Sequence, residues 1–185
     1  MMAGMTTGKT YVVLLRGINV GGHNKVAMAA LRATCESVGC TEVATYIQSG
    51  NVVLRSTRSA ADLRSTLEAA IANQLGVSPV VVVRTAAQIE SVLADTPYPD
   101  ADEGTVHVAF LAKRPSTAEA AVLSEIQSPP EELAVVGDAV YLHLPNGLGR
   151  AKIPVQLGRR SVTIPTTVRN WRTVTKLHEM ASALR

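Results

Sequence analysis

Two hydrophobic periods divide this chain into elements. Short continuous or alternating apolar runs mark strands, and apolar residues recurring every three or four positions mark helices. The first half reads as a strand over 11–15, a glycine-rich loop at 16–22, and a helix opening at the cap Asn24. Met28, Leu31, Cys35 and Val38 form that helix's buried stripe, and Gly39 stops it. A hairpin follows, with strands over 43–47 and 52–55 and a Ser49-Gly50-Asn51 turn. Gln48 and Asn51 are placed at its tip. Ser59 caps a second helix carrying Leu63, Leu67, Ile71 and Leu75, which ends at Gly76. Pro79 leads into a strand over 80–83, and the Thr85–Gln88 capping box opens a short helix.

Residues 96–103 (Thr-Pro-Tyr-Pro-Asp-Ala-Asp-Glu) break the pattern and serve as a linker between a first half, 10–95, and a second half, 104–185. The second half reads as a strand over 105–112 and a helix from Ser116 to Ile126, opened by a second capping box, Ser116–Glu119. A hairpin follows, over 133–136 and 140–144, and then a turn at 145–149. Lys152 to Leu157 is read as one helical turn interrupted by Pro154, and a last helix as running from Thr167 to Ala183. The expected fold is therefore α+β, with two ferredoxin-like β-α-β-β-α-β halves built on antiparallel sheets, the second incomplete. The halves share element order without sequence identity.

Composition adjusts this picture in three ways. Aromatic residues make up 3% of the chain, so Val, Leu, Ile and Ala must fill the core. No apolar run approaches the ~20 residues that span a bilayer. The first ten residues lack an export-signal core, so the cytoplasm is the expected compartment and no membrane partner is expected. Cys35 and Cys40 are read as reduced thiols, since two cysteines do not make a disulfide framework in a chain of this size.

Charge is uneven. Eight Lys and Arg lie between Pro145 and Arg185 against Glu179 alone, while the whole chain carries a net charge of +3. A basic end on a net acidic body favours an anionic partner, although an internally paired, solvated surface also satisfies the pattern.

Three blocks resemble a bacterial family: Leu15-Arg16-Gly17-Ile18-Asn19-Val20-Gly21-Gly22, Thr45-Tyr46-Ile47-Gln48-Ser49-Gly50-Asn51-Val52, and the pair Pro145-Asn146-Gly147 with Arg169-Asn170-Trp171. The family is domain of unknown function family 1697, and the likeness runs from about Thr10 to the C-terminus. It implies a compact cytosolic α+β protein with two ferredoxin-like halves, and it carries no activity to transfer. One departure is Ala151, which follows Arg150 where the family pattern has Ser.

Candidate chemistry centres on anions. The glycine loop joins a strand to a helix start, where backbone N–H groups and the positive helix end favour negative charge, with Arg16 and Lys25 nearby. Its spacing fits neither the Walker pattern nor the dinucleotide fingerprint, and a simple tight turn explains the glycines as well. Arg169, Arg172 and Lys176 are read as one face of the last helix. The expected ligand-binding residues are Arg16, Asn19, Gln48, Ser49, Asn51, Asn146, Arg150, Arg169, Asn170 and Arg172, around a cleft between the halves. A small phosphorylated or carboxylated ligand is the first reading. Electrostatic nucleic-acid binding through the basic C-terminal segment is the second; stacking on the sheet face is not expected, because the central strands offer only Tyr11. An enzyme using the same arginines as clamps is the third. His107 and His143 are candidates for neighbours in the second half. No metal or cofactor is called for.

Overall fold

A computed structural model describes residues 8–158 and 164–184 of the chain. By backbone contacts it divides into two compact units, residues 1–90 with 177–185, and residues 91–176. The divisions fall inside two helices and not in the proline-rich 96–103 stretch.

The first unit contains β1 (Lys9–Arg16), α1 (Met28–Ser37), β2 (Thr41–Tyr46), β3 (Asn51–Ser56), α2 (Ala60–Leu75) and β4 (Val80–Thr85), followed by α3 (Ala86–Ala94). Its antiparallel sheet has the order β2-β3-β1-β4. One sheet face carries Tyr11, Val13, Leu15, Val52, Leu54, Val81 and Val83, which form a single core with Leu31 and Cys35 of α1 and Leu63, Leu67 and Ile71 of α2. Val12, Leu14 and Val53, on the other face, are also fully buried. Burial on both faces explains why these strands read as continuous apolar runs and not as alternation.

In the second unit the order repeats: β5 (Val106–Leu111), α4 (Thr117–Ser124), β6 (Glu132–Val136), β7 (Ala139–His143), a 3-10 turn (Leu148–Arg150), α5 (Ile153–Leu157), β8 (Thr166–Asn170) and α6 (Trp171–Ala183). The sheet order is β6-β7-β5-β8, the same as in the first unit. The second half thus has its fourth strand and is complete in strand order. Residues 166–168 are Thr-Thr-Val, a β-branched run that suits a strand better than a helix. Asn170 then starts α6 by accepting a hydrogen bond from the Thr173 N–H at 2.8 Å.

Other local readings shift for equally simple reasons. α1 begins at Met28, not at Asn24; Ala27 precedes it and supplies no side-chain cap. Asn24 instead sits at φ 48° and donates its amide to the Gly17 carbonyl. The first hairpin turns through 47–50, so Asn51 opens β3 and is not at the tip. Pro154 lies in the first turn of α5, where a missing N–H costs nothing, so it does not interrupt the turn. Both capping boxes form with both arms, Thr85 with Gln88 and Ser116 with Glu119. No helix among the described residues is long and apolar enough to cross a membrane.

Candidate functional site

The glycine loop and the hairpin turn meet at one end of the first sheet. Asn19 makes the junction. It adopts φ 54°, a left-handed conformation that Asn tolerates better than most residues. Its side-chain amide donates to the Val26 carbonyl (2.9 Å) and to the Gln48 carbonyl (2.8 Å), while its Oδ1 accepts from the Val26 N–H at 2.8 Å. One side chain therefore closes the loop on itself and fastens it to the hairpin. A main-chain bond from the Leu15 N–H to the Gly50 carbonyl (2.8 Å) adds a second tie.

Gly50 is required there on two counts. Its φ is 77°, and a Cβ on it would stand 2.8 Å from Leu15 Cβ and 2.9 Å from Ile18 Cδ1. The neighbouring Ile47 is also left-handed, at φ 50°, a conformation that costs a β-branched residue about 1–2 kcal/mol. Its side chain is exposed, as is that of Val20 across the junction.

Between loop and turn lies a recess of about 590 Å³ lined by Asn19, Gly22, Lys25, Val26, Ala27 and Gln48. Lys25 and Gln48 are exposed at its rim. Ala27 leads directly into α1, whose first turn carries no side-chain cap and no acidic residue. The positive end of α1, where a helix leaves N–H groups without intrahelical partners, therefore begins at the edge of a recess that Lys25 also lines.

The structure brings Asn19 and Gln48 together and separates their role from that of the other expected residues. Arg16 ends β1, exposed, opposite Val80. Ser49 is exposed, and its hydroxyl accepts from the Asn51 amide at 2.9 Å. Asn51 is wholly buried and also donates to the Tyr46 carbonyl, so it holds the turn from inside. In the second unit, Asn146 and Arg150 are exposed on either side of Gly147. Asn170 caps α6, and Arg172 is exposed in its first turn.

Arg169 is not on a helical face with Arg172 and Lys176. It lies in β8, 8% exposed, and its Nη1 donates to the Thr167 hydroxyl (2.7 Å) and the Val168 carbonyl (2.9 Å). Burial pulls its pKa down to about 10. The first sheet does the same thing: Arg84 is the penultimate residue of β4, opposite Val12, and is 4% exposed, while Arg169 is the penultimate residue of β8, opposite Val108. The duplication in element order thus extends to one buried cation per sheet, which the sequence halves do not reveal by identity. Arg159, Arg160 and Arg185 of the basic segment lie outside the described residues.

His107 and His143 are not neighbours. Val106 pairs with His143 and His107 with Leu142, so the two imidazoles project from opposite faces of the sheet. His107 is 5% exposed and its Nδ1 has no hydrogen-bond partner among the described residues. Burial lowers its pKa, against a smaller upward effect of the Thr105 backbone. His143 stacks obliquely on Tyr98 at 5.5 Å and lies 3.8 Å from the Glu132 carboxylate. Sequence reading overlooked Glu131, whose carboxylate accepts the N–H groups of Lys152 and Ile153 at the start of α5. No group of three or more His, Cys, Asp or Glu among the described residues is arranged to hold a metal ion.

Two antiparallel four-stranded sheets, each with the same strand order, define a duplicated α+β protein of ferredoxin-like plan. The model of the family described as "Protein of unknown function (DUF1697)" matches residues 8–141, and the chain belongs to that family. The matched stretch includes the glycine loop and the hairpin and ends before Asn146 and Arg169. Among solved structures, the conserved bacterial protein SP0830 from Streptococcus pneumoniae is similar with a TM-score of 0.79 and 26% identity, over 94% of this chain and 98% of that one. No curated protein matches.

Proposed function

We propose that the first unit binds a small anionic ligand, phosphorylated or carboxylated, in the recess between the glycine loop and the hairpin turn. The observation that carries this reading is the Asn19 clamp. By tying Val26 and Gln48 together it holds Lys25, Gln48 and the segment that leads into the uncapped start of α1 around one hollow. An anion there gains from the helix end and the lysine without displacing any side-chain cap. The loop needs no Walker-type spacing for this, because the donors are backbone N–H groups presented by geometry.

The nucleic-acid reading loses ground because Arg169, one of its bases, is spent inside the second sheet. The cytoplasm remains the proposed compartment. The test is a thermal-shift panel of inorganic phosphate, sugar phosphates, nucleotides and dicarboxylates. A ligand of the right class raises the melting temperature of the wild type and does so less for Lys25→Gln. A panel that shifts neither protein contradicts the proposal.

A further inference from the structure

The two cysteines lie at the two contact positions of a helix-ending motif. Gly39, at φ 88°, follows α1; its N–H bonds the Glu36 carbonyl (2.9 Å), and the Cys40 N–H bonds the Cys35 carbonyl (3.2 Å). This pair of bonds is the Schellman motif, in which the residue after the glycine packs its side chain against the residue five positions earlier. Here those residues are Cys40 and Cys35, and both are buried, at 4% and 1% exposure. We propose that Cys35 and Cys40 are a dithiol that closes to an intramolecular disulfide, locking the end of α1 to the start of β2.

Neighbouring groups distinguish the two thiols. Arg58 donates to the Val38 carbonyl at 2.6 Å, which holds its guanidinium over the turn. This cation and the Ser56 hydroxyl favour a thiolate at Cys40, although burial outweighs them and leaves its pKa raised. Cys35 has no such help and is pushed up to about 12. Cys40 is therefore the thiol that reacts first, and Cys35 the one that resolves. With a hydroperoxide as oxidant, the Cys40 thiolate attacks one peroxide oxygen; the O–O bond breaks, giving a sulfenic acid and hydroxide, which takes a proton to become water. The Cys35 sulfur then attacks the Cys40 sulfur, the S–O bond breaks, and a second water leaves. The protein loses two electrons and two thiol protons, and hydrogen peroxide becomes two waters. Because both sulfurs are covered, the reaction passes through a local opening of residues 38–40.

The experiment uses the full chain and hydrogen peroxide, followed by denaturation, alkylation and trypsin. Both cysteines fall in one tryptic peptide, residues 33–55. The expected product is that peptide about 2 Da lighter, unalkylated, and restored by dithiothreitol. In Cys35→Ser, a sulfenic-acid trap is expected to label Cys40 more readily than it labels Cys35 in Cys40→Ser. The oxidised protein is expected to melt no lower than the reduced one, since the motif already holds the two residues together. Two thiols that stay alkylatable, a sulfinic acid about 32 Da heavier, a disulfide-linked dimer, or an oxidised form that melts lower would each overturn the proposal.

Discussion

The side chain of Asn19 donates a 2.8 Å hydrogen bond to the main-chain carbonyl of Gln48, linking two loops that are 29 residues apart in sequence. The same amide closes the glycine loop through Val26. Substitution by Gly keeps the left-handed backbone and removes all three bonds. Asn19→Gly is therefore expected to cost about 1–3 kcal/mol, read by denaturant unfolding, and to abolish any anion-dependent thermal shift. A variant with wild-type stability and an intact shift would remove Asn19 from the account.

Gly50 sets how closely the turn and loop approach. In Gly50→Ala the new methyl meets Leu15 and Ile18 below 3 Å, and the residue must hold φ 77°. The two penalties together predict a loss of about 2–4 kcal/mol. Gly22, also left-handed at φ 80° but with nothing within 4 Å of a built Cβ, is expected to suffer only the backbone cost on the same change, about 1–2 kcal/mol. The difference between the two variants isolates the packing contribution.

Arg169 separates structure from ligand binding. Truncation to Ala leaves the buried Thr167 hydroxyl and Val168 carbonyl without this donor and opens a void. We expect about 2–4 kcal/mol of destabilisation by chemical denaturation, and no change in the affinity of the first unit for an anion among molecules that remain folded. Loss of affinity at unchanged stability would return Arg169 to the site.

His107 makes stability depend on pH. Burial lowers its folded pKa below the ordinary 6.5. Below pH 6.5 the unfolded chain takes up a proton that the folded chain resists. Stability therefore falls as pH drops through that value and levels off once the folded pKa is passed. His107→Leu is expected to flatten this acid-side slope in a series of melting curves. An unchanged slope would place the titration elsewhere.

The buried strands, the helix stripes and both capping boxes were legible because each rests on a local period or a local spacing. The strand at 166–170 was not. Its five residues are followed without a break by α6, so apolar spacing from Trp171 onward extended the helix backwards over it. The β-branched Thr166-Thr167-Val168 run and the Asn170 cap were the available signals. The position of Asn51 turned on one residue of register: read in the turn it faces outward, and at the start of β3 it is wholly buried. Asn19 and Gln48 were legible as polar residues in loops, but the bond between them comes from the tertiary meeting of two turns. Arg84 lies in β4, a strand buried on both faces that offers no alternation to tell its side, whereas β8 does alternate but puts the polar Thr167 and Arg169 on its buried positions.

The central claim is that the hollow between the glycine loop and the hairpin turn takes an anion. The direct measurement is a titration of the isotope-labelled chain, followed by backbone amide chemical shifts, with inorganic phosphate and then with the best ligand from the thermal panel. The account predicts saturable changes concentrated at residues 19–30 and 47–50, weakened by Lys25→Gln. Changes concentrated in other parts of the chain, or none at saturating anion, would contradict it.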